Sequence, residues 1–148
     1  MGQDGKSKTV KKTFNRTTEV STYIEANPAI IWSLLTNAEE FPKWNSTVIS
    51  IEGKIEEGSK IRLKSTLDSS RTFKLKVKET IPNDKMVWGD AMGERVYTLA
   101  KSGTGVVFTM KEKIGSFMFP LFANKIPSFD ESFEQFARDL KQEAEKAG

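Results

Sequence analysis

The sequence predicts an α+β domain in which one curved antiparallel sheet of about seven strands wraps around a long C-terminal helix. Three observations lead to this fold class. Short strand-like runs follow one another between residues 48 and 114 with turn signals between them, which is typical of an antiparallel meander. Two short helical segments separate the first strand from the second. The last stretch of the chain is an amphipathic helix, and it is the only long element able to cover the apolar face of such a sheet.

One folded domain is expected, because 148 residues lie within the usual size of a domain. Residues 1–16 carry five basic residues and one acidic residue, and they are expected to form a disordered basic tail. The rest of the chain, residues 17–148, is nearly neutral and is expected to form the domain. Since no nucleic-acid motif follows the basic tail, a nucleic-acid partner is not expected.

The chain contains neither histidine nor cysteine, which excludes disulfides, imidazole acid–base chemistry and metal sites built from these side chains. No carboxylate cluster has the spacing of a metal loop, so no cofactor is expected. An enzyme would depend on carboxylate, Lys, Tyr, Ser/Thr or Arg chemistry. No signal peptide and no membrane span is recognised, so we expect a cytoplasmic protein. We also expect it to be a monomer or a weak homodimer.

The first elements are a strand and two short helices. Residues 17–25 are rich in β-branched and aromatic side chains and predict the strand. Asn27 is expected to cap a helix that has Pro28 at its first position, where a missing N–H costs nothing. Asn37 resembles a second cap, which opens a single turn that Pro42 closes.

Six further strand-like runs make up the meander. In the clearest of them, RTFKLKVKE, Phe73, Leu75 and Val77 alternate with lysines, so one face is buried and the other faces water. A turn is expected at 68–70, just before this strand. The runs are residues 48–55, 60–67, 71–81, 85–89, 94–101 and 105–114, and their other inward side chains are Ile61, Leu63, Met86, Trp88, Tyr97, Leu99, Val106, Phe108 and Met110.

After the last strand, residues 116–127 (SFMFPLFANKIP) predict an apolar loop or broken helix that has to pack on something. Ser128 and Glu131 form a capping box, and the chain continues from there as one amphipathic helix. The apolar stripe of this helix consists of Phe129, Phe133, Phe136, Ala137, Leu140 and Ala144.

Several motifs match a known superfamily. They are Ile24-Glu25-Ala26 with Pro28, Ile31–Thr36, Phe41-Pro42, Lys43–Asn45, Gly58, Gly103-Thr104 and Phe136–Leu140. In these motifs and in the order of its elements, the chain resembles the START-like, or helix-grip (SRPBCC), superfamily, in its polyketide-cyclase/dehydrase branch. The resemblance implies a cavity between the sheet and the C-terminal helix. Members of this superfamily include lipid carriers, hormone receptors, aromatase/cyclases and chaperone co-activators, so the fold alone implies no single activity.

The leading hypothesis is that the implied cavity binds a small hydrophobic molecule, such as a lipid, a polyketide or an aromatic compound. Strand alternation also turns Arg95 and Glu112 inward near strand ends, and it makes Tyr97 the best candidate for a hydrogen bond to the ligand. The alternatives are ordinary core packing for each apolar side chain and a solvated position at the rim for the two charges. The expected apolar lining is Trp44, Phe73, Leu75, Trp88, Tyr97, Leu99, Phe108, Met110, Phe129, Phe133, Phe136 and Leu140.

Two other functions stay open at this point. A cyclase/dehydrase-like or hydrolase-like enzyme would use Glu112, Tyr97 and Arg95 as its polar groups. A protein-interaction module, as in the chaperone co-activators, would expose the phenylalanine rings of residues 116–127. Burial of those rings over the mouth of the cavity would favour ligand gating instead. An interior already filled by side chains would count against both ligand binding and catalysis.

Overall fold

A computed structural model of the chain describes residues 4–147, which form one eight-stranded antiparallel sheet with three α-helices. The strands are β1 (Ser7–Lys11), β2 (Asn15–Ile24), β3 (Val48–Glu52), β4 (Lys60–Ser65), β5 (Asp68–Ile81), β6 (Lys85–Gly89), β7 (Gly93–Ser102) and β8 (Gly105–Gly115). The helices are α1 (Pro28–Thr36), α2 (Phe41–Trp44) and α3 (Asp130–Ala147), and the 3-10 turns Phe119–Leu121 and Ala123–Lys125 precede α3. The predicted α+β class is confirmed.

The order of strands in the sheet is β1-β2-β8-β7-β6-β5-β4-β3, and every neighbouring pair is antiparallel. Because β2 and β3 lie far apart in this order, α1 and α2 carry the chain across the sheet before the meander returns to β8. Register shifts after Val48 and Val77 put an extra residue in β3 and β5, and a third shift, after Leu63 of β4, leaves extra residues in β5. Bulges increase local twist and bend a strand, which lets this half of the sheet curve.

The sequence predicts a disordered tail over residues 1–16, but Ser7–Lys11 forms β1 at the edge of the sheet, so this expectation is wrong for the described part of the tail. The Ser7 and Thr9 hydroxyls donate hydrogen bonds to Asp130 at the start of α3, at 2.8 and 2.6 Å. Lys8, which lies between them, faces solvent, as alternation along a strand requires. The extra strand explains why eight are present instead of about seven. The first three residues of the tail lie outside the described residues.

Two local expectations are also corrected. The predicted turn at 68–70 belongs to β5, because the chain turns at Thr66 and Leu67 instead. Pro42 does not close α2 but occupies its first turn, where a missing N–H costs no hydrogen bond. The predicted cap of α1 is confirmed, since the Ala29 backbone N–H donates to Asn27 Oδ1 at 2.9 Å.

The hydrophobic core lies between the inner face of the sheet and α3, and the two short helices close one side of it. Residues of α3 that recur every three or four positions are buried, as the predicted apolar stripe requires. From α1 and α2, Ile31, Leu35 and Phe41 add fully buried side chains. No helix within residues 4–147 is long and apolar enough to cross a membrane.

Candidate ligand site between the sheet and the C-terminal helix

Phe136 of α3 lies at the centre of a group of aromatic rings. On the sheet side its ring centroid is 5.9 Å from that of Tyr97 and 6.2 Å from that of Phe108. On the side of α2 it is 6.0 Å from Trp44 and 5.9 Å from Phe41. We call these five residues the Phe136 cluster. The Phe108 ring is stacked on that of Phe136 and the other contacts are tilted or edge-to-face. Such contacts are favourable between aromatic rings, so the cluster joins α2, α3, β7 and β8.

Tyr97 contributes a buried hydroxyl to this cluster. The residue is 1% exposed, and the ring of Trp88 meets it edge-on at 5.1 Å. Its hydroxyl proton has no acceptor within residues 4–147, because the neighbouring Arg95 guanidinium can only donate to the hydroxyl oxygen. Burial raises the pKa of Tyr97 to about 12, although the nearby Arg95 guanidinium opposes the change. The hydroxyl therefore stays protonated at neutral pH and is a donor without an acceptor.

Trp44 contributes a second donor of the same kind. Its Nε1 is buried and has no hydrogen-bond partner in the described part of the chain. Both Trp44 and Tyr97 contact the ring of Phe136, so unpaired donors lie on two sides of that ring. A buried donor without a partner costs about 1–3 kcal/mol. An acceptor atom placed in this cluster would remove part of that cost.

Other predicted site residues meet at the N-terminal end of α3. The rings of Phe129 and Phe133 stack with centroids 5.9 Å apart. The Arg95 guanidinium lies 4.9 Å from the centroid of Phe133, and Arg95 Nε donates to Glu112 Oε1 at 2.6 Å. Burial by itself lowers the pKa of Arg95, but the Glu112 carboxylate, directly opposite on β8, raises it above its ordinary value. The two inward charges form an ion pair beside the aromatic rings.

Arg16 is a member of this second group that the sequence reasoning missed. Its guanidinium lies 4.8 Å from the centroid of the Phe129 ring, and it donates to the carbonyl oxygens of Pro127 at 2.8 Å and Ile126 at 3.3 Å. The residue was assigned to the tail, one position before the predicted strand. Extending the strand by that one position would have placed Arg16 on the inward face with Thr18.

The remaining predicted residues take two kinds of position. Leu99, Met110 and Leu140 are buried in the same core. Phe73 and Leu75 are only half-buried on β5, two strands away from β7, and pack against the edge of the core. The structure therefore does not place every predicted residue beside Tyr97.

Two surface clefts lie outside the predicted set of residues. One, of about 480 Å³, lies where the end of α1, including Trp32, faces residues 53–57 and Pro82. The other, of about 510 Å³, lies among charged side chains of β5, β6 and β7 on the outer face of the sheet. No predicted site residue lines either cleft. Around Phe136 the interior is occupied by side chains, so the cavity implied by the resemblance is not open there. This observation counts against ligand binding and catalysis in the observed conformation, and a ligand there requires rings to move.

The apolar segment 116–127 takes a mixed position. Phe119 is buried and its ring lies 5.8 Å from that of the half-buried Phe122. Phe117, in contrast, is 86% exposed. The prediction of a broken helix is confirmed by the two 3-10 turns. Neither full exposure nor full burial of the three rings is observed.

Comparisons with known proteins place the chain in a family. Residues 25–145 match the model of the family described as "Activator of Hsp90 ATPase homolog 1-like protein". The chain belongs to this family. The predicted START-like superfamily is thereby confirmed. No curated protein sequence matches the chain.

Solved structures of the same fold come from several bacteria. A protein of Mesorhizobium loti is 20% identical with a TM-score of 0.70, and the match covers 90% of this chain and 99% of that one. The Aha1 dimer of Colwellia psychrerythraea is 20% identical with a TM-score of 0.66, covering 87% and 96%. A START superfamily protein of Mycobacterium smegmatis is 15% identical with a TM-score of 0.65, covering 89% and 99%. At these identities the likeness establishes the fold alone.

Proposed function

We propose that the protein binds a small hydrophobic molecule carrying an acceptor oxygen, at the Phe136 cluster between the sheet and α3. The observation that supports this function is the Tyr97 hydroxyl, which is buried, protonated and without an acceptor within the described chain. A carbonyl or ether oxygen of a ligand would accept its hydrogen bond. Trp44 Nε1, unpaired on another side of the same central ring, offers a second donor.

The rings of the cluster supply the apolar part of the binding energy. Burying about 300 Å² of apolar ligand surface is worth roughly 7 kcal/mol before the cost of association is subtracted. A hydrogen bond from Tyr97 would add about 1 kcal/mol and would select ligands by the position of their oxygen. Because association costs at least about 4 kcal/mol, these two contributions together correspond to roughly millimolar affinity, and tighter binding requires a larger buried apolar area.

Entry of a ligand requires movement at the edge of the cluster. Trp44 is half-buried and belongs to α2, a helix of only four residues. Short elements with few internal hydrogen bonds open locally at low cost. Outward movement of Trp44 would expose the ring of Phe136 to an incoming molecule.

The polar groups near Tyr97 favour binding over acid–base catalysis. Glu112 is held in an ion pair by Arg95, which occupies the carboxylate that would act as a general base. Tyr97, with its pKa raised to about 12, is a poor proton acceptor or donor for chemistry at neutral pH. These groups are therefore better suited to orient a ligand than to transfer a proton.

The experiment measures ligand binding by the full chain and by two tyrosine variants. Native mass spectrometry of freshly purified protein searches for a co-purified small molecule, and thermal shifts are recorded with a panel of lipids, flavonoids and polyketides. Tyr97→Phe removes the unpaired hydroxyl and should weaken the shift caused by oxygen-bearing ligands. Tyr23→Phe is the matched control, because the Tyr23 hydroxyl bonds to Glu25 at the surface.

Two results would contradict the proposal. The first is a protein without any co-purified molecule that responds to no compound of the panel. The second is a ligand whose thermal shift is the same for Tyr97→Phe and for the unmodified chain. A function like that in the family's description, activation of a partner ATPase, would depend on the outer surface and would survive the Tyr97 substitution.

A further inference from the structure

A group of large apolar side chains projects from one end of the molecule. Phe117 is 86% exposed and Leu121 is 69% exposed, and Phe14 and Met118 are about half exposed. We call these four residues the apolar tip. They come from the β1–β2 turn and the segment before α3, which are joined by a hydrogen bond from the Ser116 N–H to the Phe14 carbonyl oxygen at 3.2 Å.

The apolar tip is held outward by a buried neighbour. Phe119 is buried and lies against Phe122, which anchors the segment to the domain. The Leu121 N–H donates to the Met118 carbonyl oxygen at 3.0 Å, closing a turn that leaves both of these side chains on the surface. Neither the core nor the Phe136 cluster uses the tip. A monomer gains nothing from exposing side chains of this size together.

The two segments that form the tip carry a positive charge. Residues 11–18 and 113–129 contain no Asp or Glu, and they carry the exposed lysines Lys11, Lys12, Lys113 and Lys125. Large apolar side chains flanked by lysines are typical of surfaces that bind the interface of an anionic membrane.

Acidic groups on neighbouring elements only partly offset this charge. Asp130 accepts hydrogen bonds from Ser7 and Thr9, and Asp90 accepts from the backbone N–H groups of Met92 and Gly93. Both carboxylates keep their negative charge, because these donors are neutral, and Glu94 adds another where it lies opposite Lys113 in the sheet. Glu131, in the first turn of α3, is the exposed acidic residue of this end of the helix.

We propose that the apolar tip docks on the surface of an anionic lipid bilayer. The Phe117 and Leu121 side chains would enter the boundary between head groups and acyl chains, where apolar groups leave water. The flanking lysines would lie at the level of the anionic head groups. A second copy of the chain is a poorer occupant, because two such tips facing each other would bring lysines of like charge together.

The test is co-sedimentation of the full chain with vesicles of phosphatidylcholine, with and without phosphatidylglycerol. The proposal expects binding only to the vesicles that contain phosphatidylglycerol. The double variant Phe117→Ser/Leu121→Ser should bind about tenfold more weakly or worse, because two inserting side chains are lost. Its matched control is Ile49→Ser/Ile81→Ser, which removes large apolar side chains that are 40% and 41% exposed elsewhere on the surface. Circular dichroism checks that both variants are folded.

The electrostatic contribution to membrane binding is tested with a separate variant. Replacing Lys12 and Lys113 with serine should weaken binding by about fivefold for each lysine, and added salt should weaken it further. The proposal is overturned by absence of binding to either vesicle, by equal binding to both compositions, or by unchanged binding of the Phe117→Ser/Leu121→Ser variant. It is also overturned if the unmodified chain binds no vesicles and forms a dimer that dissociates in the Phe117→Ser/Leu121→Ser variant. The latter result would assign the tip to a second copy of the chain.

Discussion

Replacing Tyr97 with phenylalanine removes one oxygen atom from the core and leaves the ring and its contacts in place. Since the proton of that hydroxyl has no acceptor within the described chain, the ligand-free protein should become more stable. Removing an unpaired buried polar group raises the free energy of unfolding by about 1–3 kcal/mol, and we expect a gain near the lower figure. For a domain of this size, about 1 kcal/mol corresponds to a rise in Tm of roughly 2–4 °C.

The pH dependence of the same variant follows from the raised pKa. The unfolded chain releases the Tyr97 proton near pH 10, whereas the folded protein holds it to about pH 12. Between these values the unfolded state binds fewer protons than the folded state, so the stability of the unmodified protein falls as the pH rises. A difference of two pKa units corresponds to a loss of about 3 kcal/mol. Tyr97→Phe lacks this contribution, and its stability should fall less steeply in this window.

Urea unfolding followed by circular dichroism measures both effects, at neutral pH and at several points between pH 10 and 12. Tyr23→Phe is the control for the measurement at neutral pH, because its hydroxyl has a partner and its removal should bring no gain. A Tyr97→Phe protein that is less stable than the unmodified chain would refute the reasoning, since it would show that the hydroxyl is satisfied in the folded state. An identical alkaline slope would refute the assigned pKa.

Three further outcomes are expected. Phe136→Ala should lower the free energy of unfolding by about 3–5 kcal/mol in a urea titration, and a loss below about 1 kcal/mol would contradict a central role for this ring. Arg95→Met leaves the Glu112 carboxylate without its partner and should cost about 3 kcal/mol, whereas Arg95→Met/Glu112→Leu should recover most of it; equal losses would argue against a coupled pair. The hydrogen bond from Thr9 lowers the pKa of Asp130. The ionised Asp130 therefore stabilises the fold above the ordinary pKa of an aspartate, and this stabilisation is lost as the pH falls through the lowered pKa. Asp130→Asn should show a shallower acid transition by circular dichroism, and an unchanged transition would contradict this assignment.

Much of the fold followed from patterns that repeat along the chain. The alternation of Phe73, Leu75 and Val77 with lysines, and the helical spacing of Phe133 and Phe136, each depend on the geometry of one element. Such patterns can be read locally, because the period of the side chains is set by the strand or the helix alone. They predicted the meander and the C-terminal helix.

The errors occurred where a distant partner decides the outcome. Ser7–Lys11 looks like a solvated basic tail, and it becomes a strand because β2 offers a free edge and Asp130 accepts its hydroxyl groups. Arg16 looks like the last charge of that tail, yet it is buried because the carbonyl oxygens that receive it belong to Ile126 and Pro127. No local pattern contains partners that lie more than a hundred positions away.

In the candidate site, too, some features depend on one strand or helix and others on how distant elements pack. Strand parity correctly turned Tyr97 and Phe108 toward α3, so the side chains facing the interior were predictable from the sequence. The packing of α2 and α3 on the sheet decided which of these side chains touch. The same packing leaves the Tyr97 hydroxyl and Trp44 Nε1 without acceptors.

By itself, the sequence determined the α+β class, the inward faces of the strands and helix, and the absence of cysteine and histidine chemistry. The tertiary structure alone decided that the N-terminal segment completes the sheet, that Phe136 is the centre of the aromatic packing, and that Phe117 points to solvent. The physical reason is that periodicity records the geometry of one element, whereas burial and hydrogen-bond pairing are properties of surfaces that meet only after folding.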